Sequence, residues 1–559
     1  MLDRVNLVNF GRTKRLPIAL VALAAPTLVA ATTPPPAISI DTLKTVTKTL
    51  SGDDYGGRKP GTPGETRSIA YIIQRFKAAG LQPGNHGGWT QDVPLVQLTA
   101  ENVSPLTFTG GAAPLSFDYR KDMVIATYRV TPHIAVKNSD VVFVGYGINA
   151  PERGWNDYAG LDVHGKTVVI LVNDPDWQTH GTEGLFEGRA MTYYGRWTYK
   201  YEEAARQGAA AAIIVHQNEP ASYPWGVVQS SWTGPQQEID APGDHMDQSL
   251  AIGWIQLADA QKLFAAAGKD FTAMEAAAKQ KGFKAVPLGL KASVSFDNAV
   301  ARQTSHNVIG VLPGAARPDE TVLFTAHWDH LGHCDAVDGD DICNGARDNA
   351  SGVAGLVALA EAEAKQGPAK RSMAFMAVTA EEAGLLGSAW YAAHPVFPLG
   401  KTVGGVNMDV LNTDGRAKNF VITGAGKSEL EDLVKPLVAA QGRVIEPEAH
   451  PEAGGYFRSD HFSFAKLGVP MLDGGSGDDL VIGGRAAGEA KAADYRDTKY
   501  HKPQDEYDPD WDWSGAVEDL TIYAELGREL ADGDAWPNWY QDAEFRAIRD
   551  KSRAGVATR

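Results

Sequence analysis

The chain has 559 residues, 43% of them apolar and 22% charged, and a formal net charge of −17. At about 100–200 residues per domain that length accommodates two or three domains, and the composition excludes wholesale disorder, collagen and coiled coil. So acidic a surface repels phosphate backbones and argues against a nucleic-acid partner. Only two cysteines are present, which excludes a disulfide-dense scaffold, an iron–sulfur protein and a four-cysteine zinc module.

The N-terminus differs from the rest. Arg4, Arg12, Lys14 and Arg15 precede an uncharged apolar run from Leu16 to Ala31 that ends in small residues, and prolines 34–36 follow. Basic, then apolar, then small is the order of a secretory signal peptide, here residues 1–31. The run falls short of the roughly 20 residues that span a bilayer, and no later segment reaches about 18 uninterrupted apolar residues. The expectation is an exported protein, periplasmic or secreted, whose mature chain has no membrane span.

Residues 32–134 mix helix and turn signals. Gly61-Thr62-Pro63-Gly64-Glu65 is a turn running into a helix whose Ile69, Ile72, Ile73 and Phe76 recur at helical spacing. Residues 101–130 read as short strands. From 135 to 295 the texture becomes strand-rich: Val141–Val144 and Lys166–Val172 are buried strands, and a helix at Glu202–Gly208 leads into the apolar strand Ala209–Val215. Tyr223–Pro235, rich in Trp, Gly and Pro, reads as a long loop. From 296 to 540 strand and helix alternate: strands at Val322–Ala326, Met373–Thr379, Val403–Met408 and Val469–Leu472, helices at Ser351–Gln366, Ala383–Ala393, Glu429–Gln441 and 515–532. Such alternation predicts an α/β fold with a mostly parallel sheet sandwiched by helices. Residues 541–559 read as a C-terminal tail.

In such sheets ligands bind beyond the carboxyl ends of the strands. Val322–Ala326 exits into His327-Trp328-Asp329-His330, Met373–Thr379 into Glu381-Glu382, and Val403–Met408 into Asp409; Asp348-Asn349 precedes the helix at Ser351, and Tyr500-His501 comes late. Three strands thus deliver His or carboxylate to one edge. Imidazole and carboxylate suit catalytic zinc, and two histidines with three carboxylates suit two Zn²⁺ sharing one carboxylate, a core that a bridging hydroxide renders neutral. Hydrolysis at such a pair also needs a carboxylate to take the proton from the attacking water, and adjacent glutamates offer both roles.

These residues fall in recognisable strings. His327-Trp328-Asp329, Gly345-Ala346-Arg347-Asp348-Asn349-Ala350-Ser351-Gly352, Thr379-Ala380-Glu381-Glu382-Ala383-Gly384-Leu385-Leu386-Gly387-Ser388, Asn407-Met408-Asp409 and Ser459-Asp460-His461 resemble the co-catalytic di-zinc aminopeptidases of metallopeptidase family twenty-eight. The resemblance covers about 300–535 most strongly; the turn at Gly61–Glu65 is similar to the family's N-terminal segment, and 135–295 is similar to the β-rich protease-associated domain that many members carry as an insertion. It implies a zinc-aminopeptidase (phosphorylase/hydrolase-like) fold and peptide or protein N-termini as substrate. It assigns His327 and Asp409 to one zinc, Glu382 and His501 to the other, Asp348 as the bridge and Glu381 as general base. Asp329 would steady His327, and Tyr500 would donate to the oxyanion. His461 competes with His501 for the last ligand position, because no strand precedes His501.

Taken singly these features have plainer readings. A strand-end His-x-Asp is commonly structural, and Glu-Glu at a helix start commonly answers the helix dipole. His330 and His333 read as loop residues or neighbours of ligands, and Arg347 as exposed or paired with an acid, with contact to a substrate carboxylate as its functional alternative. The aromatic group Tyr193, Tyr194, Trp197 and Tyr199 suits a substrate cleft as well as it suits core packing or a domain interface. Cys334 and Cys343, close in sequence in an exported protein, read as a disulfide. The rival functions are a zinc carboxypeptidase of the same superfamily, a one-zinc glutaminyl cyclase, and a receptor-like relative without metal.

Overall fold

A computed structural model describes residues 37–555; the expected signal peptide at 1–31 lies outside them. Strand order explains why the site forms where it does. Four parallel strands lie side by side in the order Met471–Leu472, Thr402–Asn407, Arg317–His327, Arg371–Val378. They read as near-continuous apolar runs because both faces are covered. Val322, Phe324, Met373, Phe375 and Ala377 face one layer, and Leu323, Ala374, Met376 and Val378 the other. This is the period-two alternation of a strand buried on both sides. Phe324 and Phe375 stack across neighbouring strands with centroids 4.9 Å apart.

On the first face lies helix Ser351–Gln366, buried nearly all round, as its run of Ala, Leu and Val requires. Helices Ile40–Leu50, Pro63–Ala78 and Ser514–Asp532 close over it through Val46, Phe76 and Leu520. Helices Leu386–Ala393 and His461–Lys466 cover the second face through Tyr391 and Phe464. The fold is therefore α/β with helices on both faces of the sheet.

Residues 135–295 contain helices as well as strands. Strands Thr167–Leu171, Ala211–His216 and Ala251–Gln256 run parallel to His133–Phe143, and helices Trp197–Arg206, Leu257–Ala266 and Phe271–Ala278 accompany them. The stretch has apolar clusters of its own around Phe143 and Phe264 and around Trp254. It is nevertheless joined to the four parallel strands by one strand, Val286–Leu312, 27 residues long. That strand pairs with His133–Phe143 through its first half, with Thr90–Glu101 from Asp297 onward, and with Arg371–Val378 at its end. The boundary read between 295 and 296 falls inside it.

Two other segments differ from the sequence reading. The expected loop at Tyr223–Pro235 contains a helix, Trp225–Ser231; its flanking Pro and Gly masked a short helix that packs through Val228 and its aromatic residues. The expected tail docks: helix Arg546–Arg553 places the buried Arg549 where its Nη2 donates to the carbonyls of Thr402 (2.9 Å) and Val403 (3.0 Å). Among the described residues no helix is long and apolar enough to cross a membrane.

Candidate functional site

The carboxyl ends of the parallel strands bring the site together. His327 is the last residue of its strand. Glu381 and Glu382 follow strand Arg371–Val378, and Asp409 follows Thr402–Asn407. Asp348 sits in the turn before helix Ser351–Gln366, and His501 follows the helical turn Tyr495–Lys499. Gly345, at φ 54°, permits the Asp348 turn, because a Cβ there would collide with the Asp348 carbonyl and the His330 ring. Ala380, Val410 and His501 also hold positive φ of 52°, 62° and 58°. For a β-branched valine this is a strained conformation, and such residues concentrate at functional sites.

His327 Nε2 lies 3.1 Å from Asp409 Oδ1 and 3.3 Å from Asp348 Oδ1. The other oxygen of Asp348 lies 3.3 Å from His501 Nε2, which is 3.1 Å from Glu382 Oε2. Asp348 thus stands between two His–carboxylate pairs. Glu381 Oε2 approaches His327 Nε2 only to 4.0 Å. Donor atoms of His327, Asp348 and Asp409, of His327, Glu381 and Glu382, and of His330, Asp348 and Glu382 each lie within 4.8 Å of one another. His461 is elsewhere: its Nδ1 lies 3.2 Å from Asp473 Oδ2, against Tyr456.

A surrounding layer fixes these groups. Asp329 accepts the Glu381 N–H at 3.1 Å through its carboxylate, while its main-chain carbonyl is the atom nearest His327 Nδ1, also at 3.1 Å. Ser459 Oγ donates to Asp409 Oδ2 at 2.7 Å. Asp505 accepts the N–H groups of Arg347 and Asp348, each at 3.0 Å. His330, buried, places Nδ1 2.5 Å from Glu382 Oε1 and packs edge-on against His501. His333 is exposed beside Asp341. The Tyr500 ring stacks on His501 at 3.8 Å. Arg347 pairs with Asp414 at 3.0 Å and covers the Tyr495 ring. Cys334 and Cys343 form a disulfide across hairpin Gly332–Cys343, and Tyr193 and Tyr199 pack on each other, with Tyr193 also against Phe457 and Phe462.

Sequence reading missed Ser459 as a partner of Asp409, and Asp505 altogether. Ser459 stands two residues before His461 in the string Ser459-Asp460-His461, where the histidine is the more evident metal donor. Nothing in the sequence marks Asp505, which acts on backbone N–H groups 157–158 residues away.

Burial alone would depress the His327 imidazole, but Asp409, Glu381 and Asp348 hold it well above its ordinary value. His501, likewise opposed by burial, is raised to about 10 by Glu382 and Asp348. Burial resists ionisation of Asp348, yet contact with both histidines keeps it well below the carboxylate range. The adjacent glutamates separate: against burial, His501 and His330 hold Glu382 at about 2, whereas burial with the charges of Asp409 and Glu382 pushes Glu381 well upward. Burial also raises the Tyr500 hydroxyl, which therefore stays protonated and can donate.

This donor set fits divalent zinc. His501 Nε2 is buried without a hydrogen-bond partner although two carboxylate oxygens face it; an ion held there would take imidazole nitrogen and carboxylate oxygen as donors.

Beside Asp409 opens a cavity of about 300 Å³ walled by Gly474–Gly477, by Arg347 and by Asp414, Asp473, Asp478 and Asp519. Asp414 is paired with Arg347, and Asp519 with Arg443 at 2.7 Å. Asp473 accepts from Thr423 at 2.9 Å, and Asp478 makes no ion pair among the described residues.

Residues 307–524 match the model of peptidase family M28. A 130-residue stretch is 32% identical to the aminopeptidase NAALADL1 of Mus musculus, covering 22% of this chain and 16% of that protein. A 97-residue stretch is 35% identical to the aminopeptidase YwaD of Bacillus subtilis (strain 168), covering 17% of this chain and 19% of that one. Each match thus spans less than a fifth of the curated relative's length. In overall structure the chain is similar to an aminopeptidase from Aneurinibacillus sp. strain AM-1, with a TM-score of 0.47 and 20% identity over 89% of this chain and 94% of that one.

Proposed function

We propose that this chain is an exported zinc-dependent aminopeptidase, with His327 and Asp409 on one ion, His501 and Glu382 on a second, and Asp348 shared. The observation that carries the reading is Asp348, whose two oxygens each face a different histidine at 3.3 Å. Two zinc ions held there would supply Lewis acidity toward the scissile carbonyl and a water acidified toward neutrality.

The chain's own groups do the rest. Glu381, kept off the imidazoles and raised in proton affinity, takes a proton from the attacking water on a carboxylate oxygen and passes it to the departing amine nitrogen. The opposite displacement of Glu381 and Glu382 favours this division between proton carrier and ligand. Tyr500 donates its hydroxyl hydrogen to the carbonyl oxygen as charge develops there. Asp329 holds the Glu381 backbone and the His327 ring together.

The cavity beside Asp409 favours an aminopeptidase over a carboxypeptidase. Its carboxylates outnumber the single lining cation, Arg347, which Asp414 already pairs, so a free α-ammonium is attracted there, whereas a peptide's terminal carboxylate is repelled and would have to shed water to enter. We assign residues 1–31 as the export signal, with the periplasm or the medium as destination. Residues 135–295 are assigned as a protease-associated insert between the N-terminal part, 32–134, and the remainder of the catalytic unit, 296–540.

Rates on aminoacyl-4-nitroanilides, free and N-acetylated, with and without chelator, test the reading. Free-amine substrates should be cleaved, acetylated ones spared, and chelation should abolish activity until zinc is restored. Cleavage confined to N-blocked peptides at their C-terminal residue would reject it.

A further inference from the structure

Arg58 lies far from the site in sequence and belongs to none of the ligand strings, yet its guanidinium is fully buried beneath the metal ligands. Its Nε donates to the carbonyl of Trp328 at 2.8 Å, and its Nη2 to that of Gly345 at 2.8 Å. Its Nη1 donates to Asn344 at 2.6 Å and to Leu50 at 2.9 Å. Trp328 directly follows His327, and Gly345 lies three residues before Asp348. One rigid fork of donors therefore holds both ends of the loop that separates these ligands.

The local backbone is built to deliver the fork. Gly56, Gly57 and Arg58 take φ of 51°, 62° and 50° in succession. A Cβ on Gly57 would lie 2.5 Å from the carbonyl oxygens of both Gly332 and Cys343, so only glycine lets this turn press against the disulfide-closed hairpin. Asn344, whose carbonyl Arg58 holds, also donates its side chain to Asp53 at 2.9 Å. Among the described residues Arg58 makes no ion pair, although Asp348, Asp505, Asp329 and Glu382 lie near enough to favour its charge.

We infer that Arg58 is a positioning residue: its planar donors tie the His327 strand end to the Asp348 turn, and its charge lies under a cluster of buried carboxylates, so that the distance between these two ligands is set from the N-terminal segment. The inference rests on the metal reading proposed above. Lysine cannot replace it, because a single ammonium cannot span carbonyls that a guanidinium fork reaches separately. Residues outside the coordination shell that orient ligands typically change metal affinity by about 10–100-fold when removed.

The test compares Arg58→Gln and Arg58→Lys with Arg371→Gln. Arg371 serves as the control: fully buried, donating to the carbonyls of Leu530 (2.6 Å) and Ala535 (3.0 Å), paired with Glu320 at 2.5 Å, and at the opposite end of its strand from the glutamates. Zinc affinity is measured by competition with a chromophoric chelator, folding by circular dichroism, and activity as kcat and KM separately. Both Arg58 variants should bind zinc about 10–100-fold more weakly and lose kcat rather than gain KM, and methylguanidinium should restore zinc affinity in Arg58→Gly. Arg371→Gln should lower melting temperature and leave zinc affinity unchanged. Folded Arg58 variants with wild-type zinc affinity would overturn the inference, as would loss of fold in both while Arg371→Gln folds. Wild-type protein that binds no zinc would instead overturn the metal reading on which it rests.

Discussion

Replacing Glu381 by Gln separates proton transfer from metal holding. The histidine nitrogens meet Asp409, Asp348 and Glu382 oxygens at 3.1–3.3 Å, but Glu381 only at 4.0 Å, so an amide at 381 leaves the ligand set whole. Gln keeps the shape and the backbone bond to Asp329 and cannot accept the proton. Loss of a general base lowers kcat by about 10²–10⁴, or about 3–5 kcal/mol of transition-state stabilisation, with KM little changed. Stability should move the other way. Burial and neighbouring carboxylates raise Glu381 in the folded chain, so its contribution is fully present below its unfolded value and is lost as pH rises through the folded one. The neutral amide escapes that loss, and the metal-free variant should be at least as stable as wild type at neutral pH. The assay is kcat and KM on leucine 4-nitroanilide beside elemental zinc analysis and melting. A folded, zinc-loaded variant within about tenfold of wild-type kcat would refute the role, since one decade is only about 1.4 kcal/mol.

Two further outcomes follow from the same geometry. Removing zinc with a chelator should lower the melting temperature, because an ion present at a thousand times its Kd stabilises by about 4 kcal/mol; melting and activity that survive removal of all metal would contradict the site. Within residues 135–295, burial raises Asp157 to about 7 despite bonds from Ile148 and Trp155. This contribution is greatest below the unfolded value of 3.8 and falls by about 4 kcal/mol as pH rises through 7. Urea titrations at pH 5 and pH 8 should show the loss in wild type and a smaller one in Asp157→Asn; equal slopes for the two proteins would count against it.

The catalytic half of the fold was legible because its strands are buried on both faces. Each is an unbroken apolar run, and each run stops at a polar side chain, so His327, Glu381, Glu382 and Asp409 stand out as strand exits. His501 carried no such mark: the turn before it is polar and helical, and only the resemblance pointed to it. Asp505 and Arg58 act by holding backbone atoms 157–158 and 270–287 residues away; no local pattern encodes a partner of that kind. The 27-residue strand Val286–Leu312 was hidden for another reason. Its faces meet different neighbours along its length, and its exposed middle, Ala299–Arg302, interrupts the apolar alternation that signals a strand. Residues 135–295 read as strand-rich because their helices are short beside their apolar strands.

That strand belongs to two halves of the molecule at once. Removing 135–295 would strip it of its first ten residues and would take Pro235–Ile239 from its neighbour Thr90–Glu101, leaving on that neighbour an open edge of unpaired amides and carbonyls, a template for clumping between molecules. Cooperativity should travel along the same ribbon: melting begun at the outer strands unzips toward the residues that pair with Arg371–Val378, two positions short of the glutamates. Residues 135–295 are thus woven into the molecule's warp rather than hung from it, and trimming them is a change to the whole cloth.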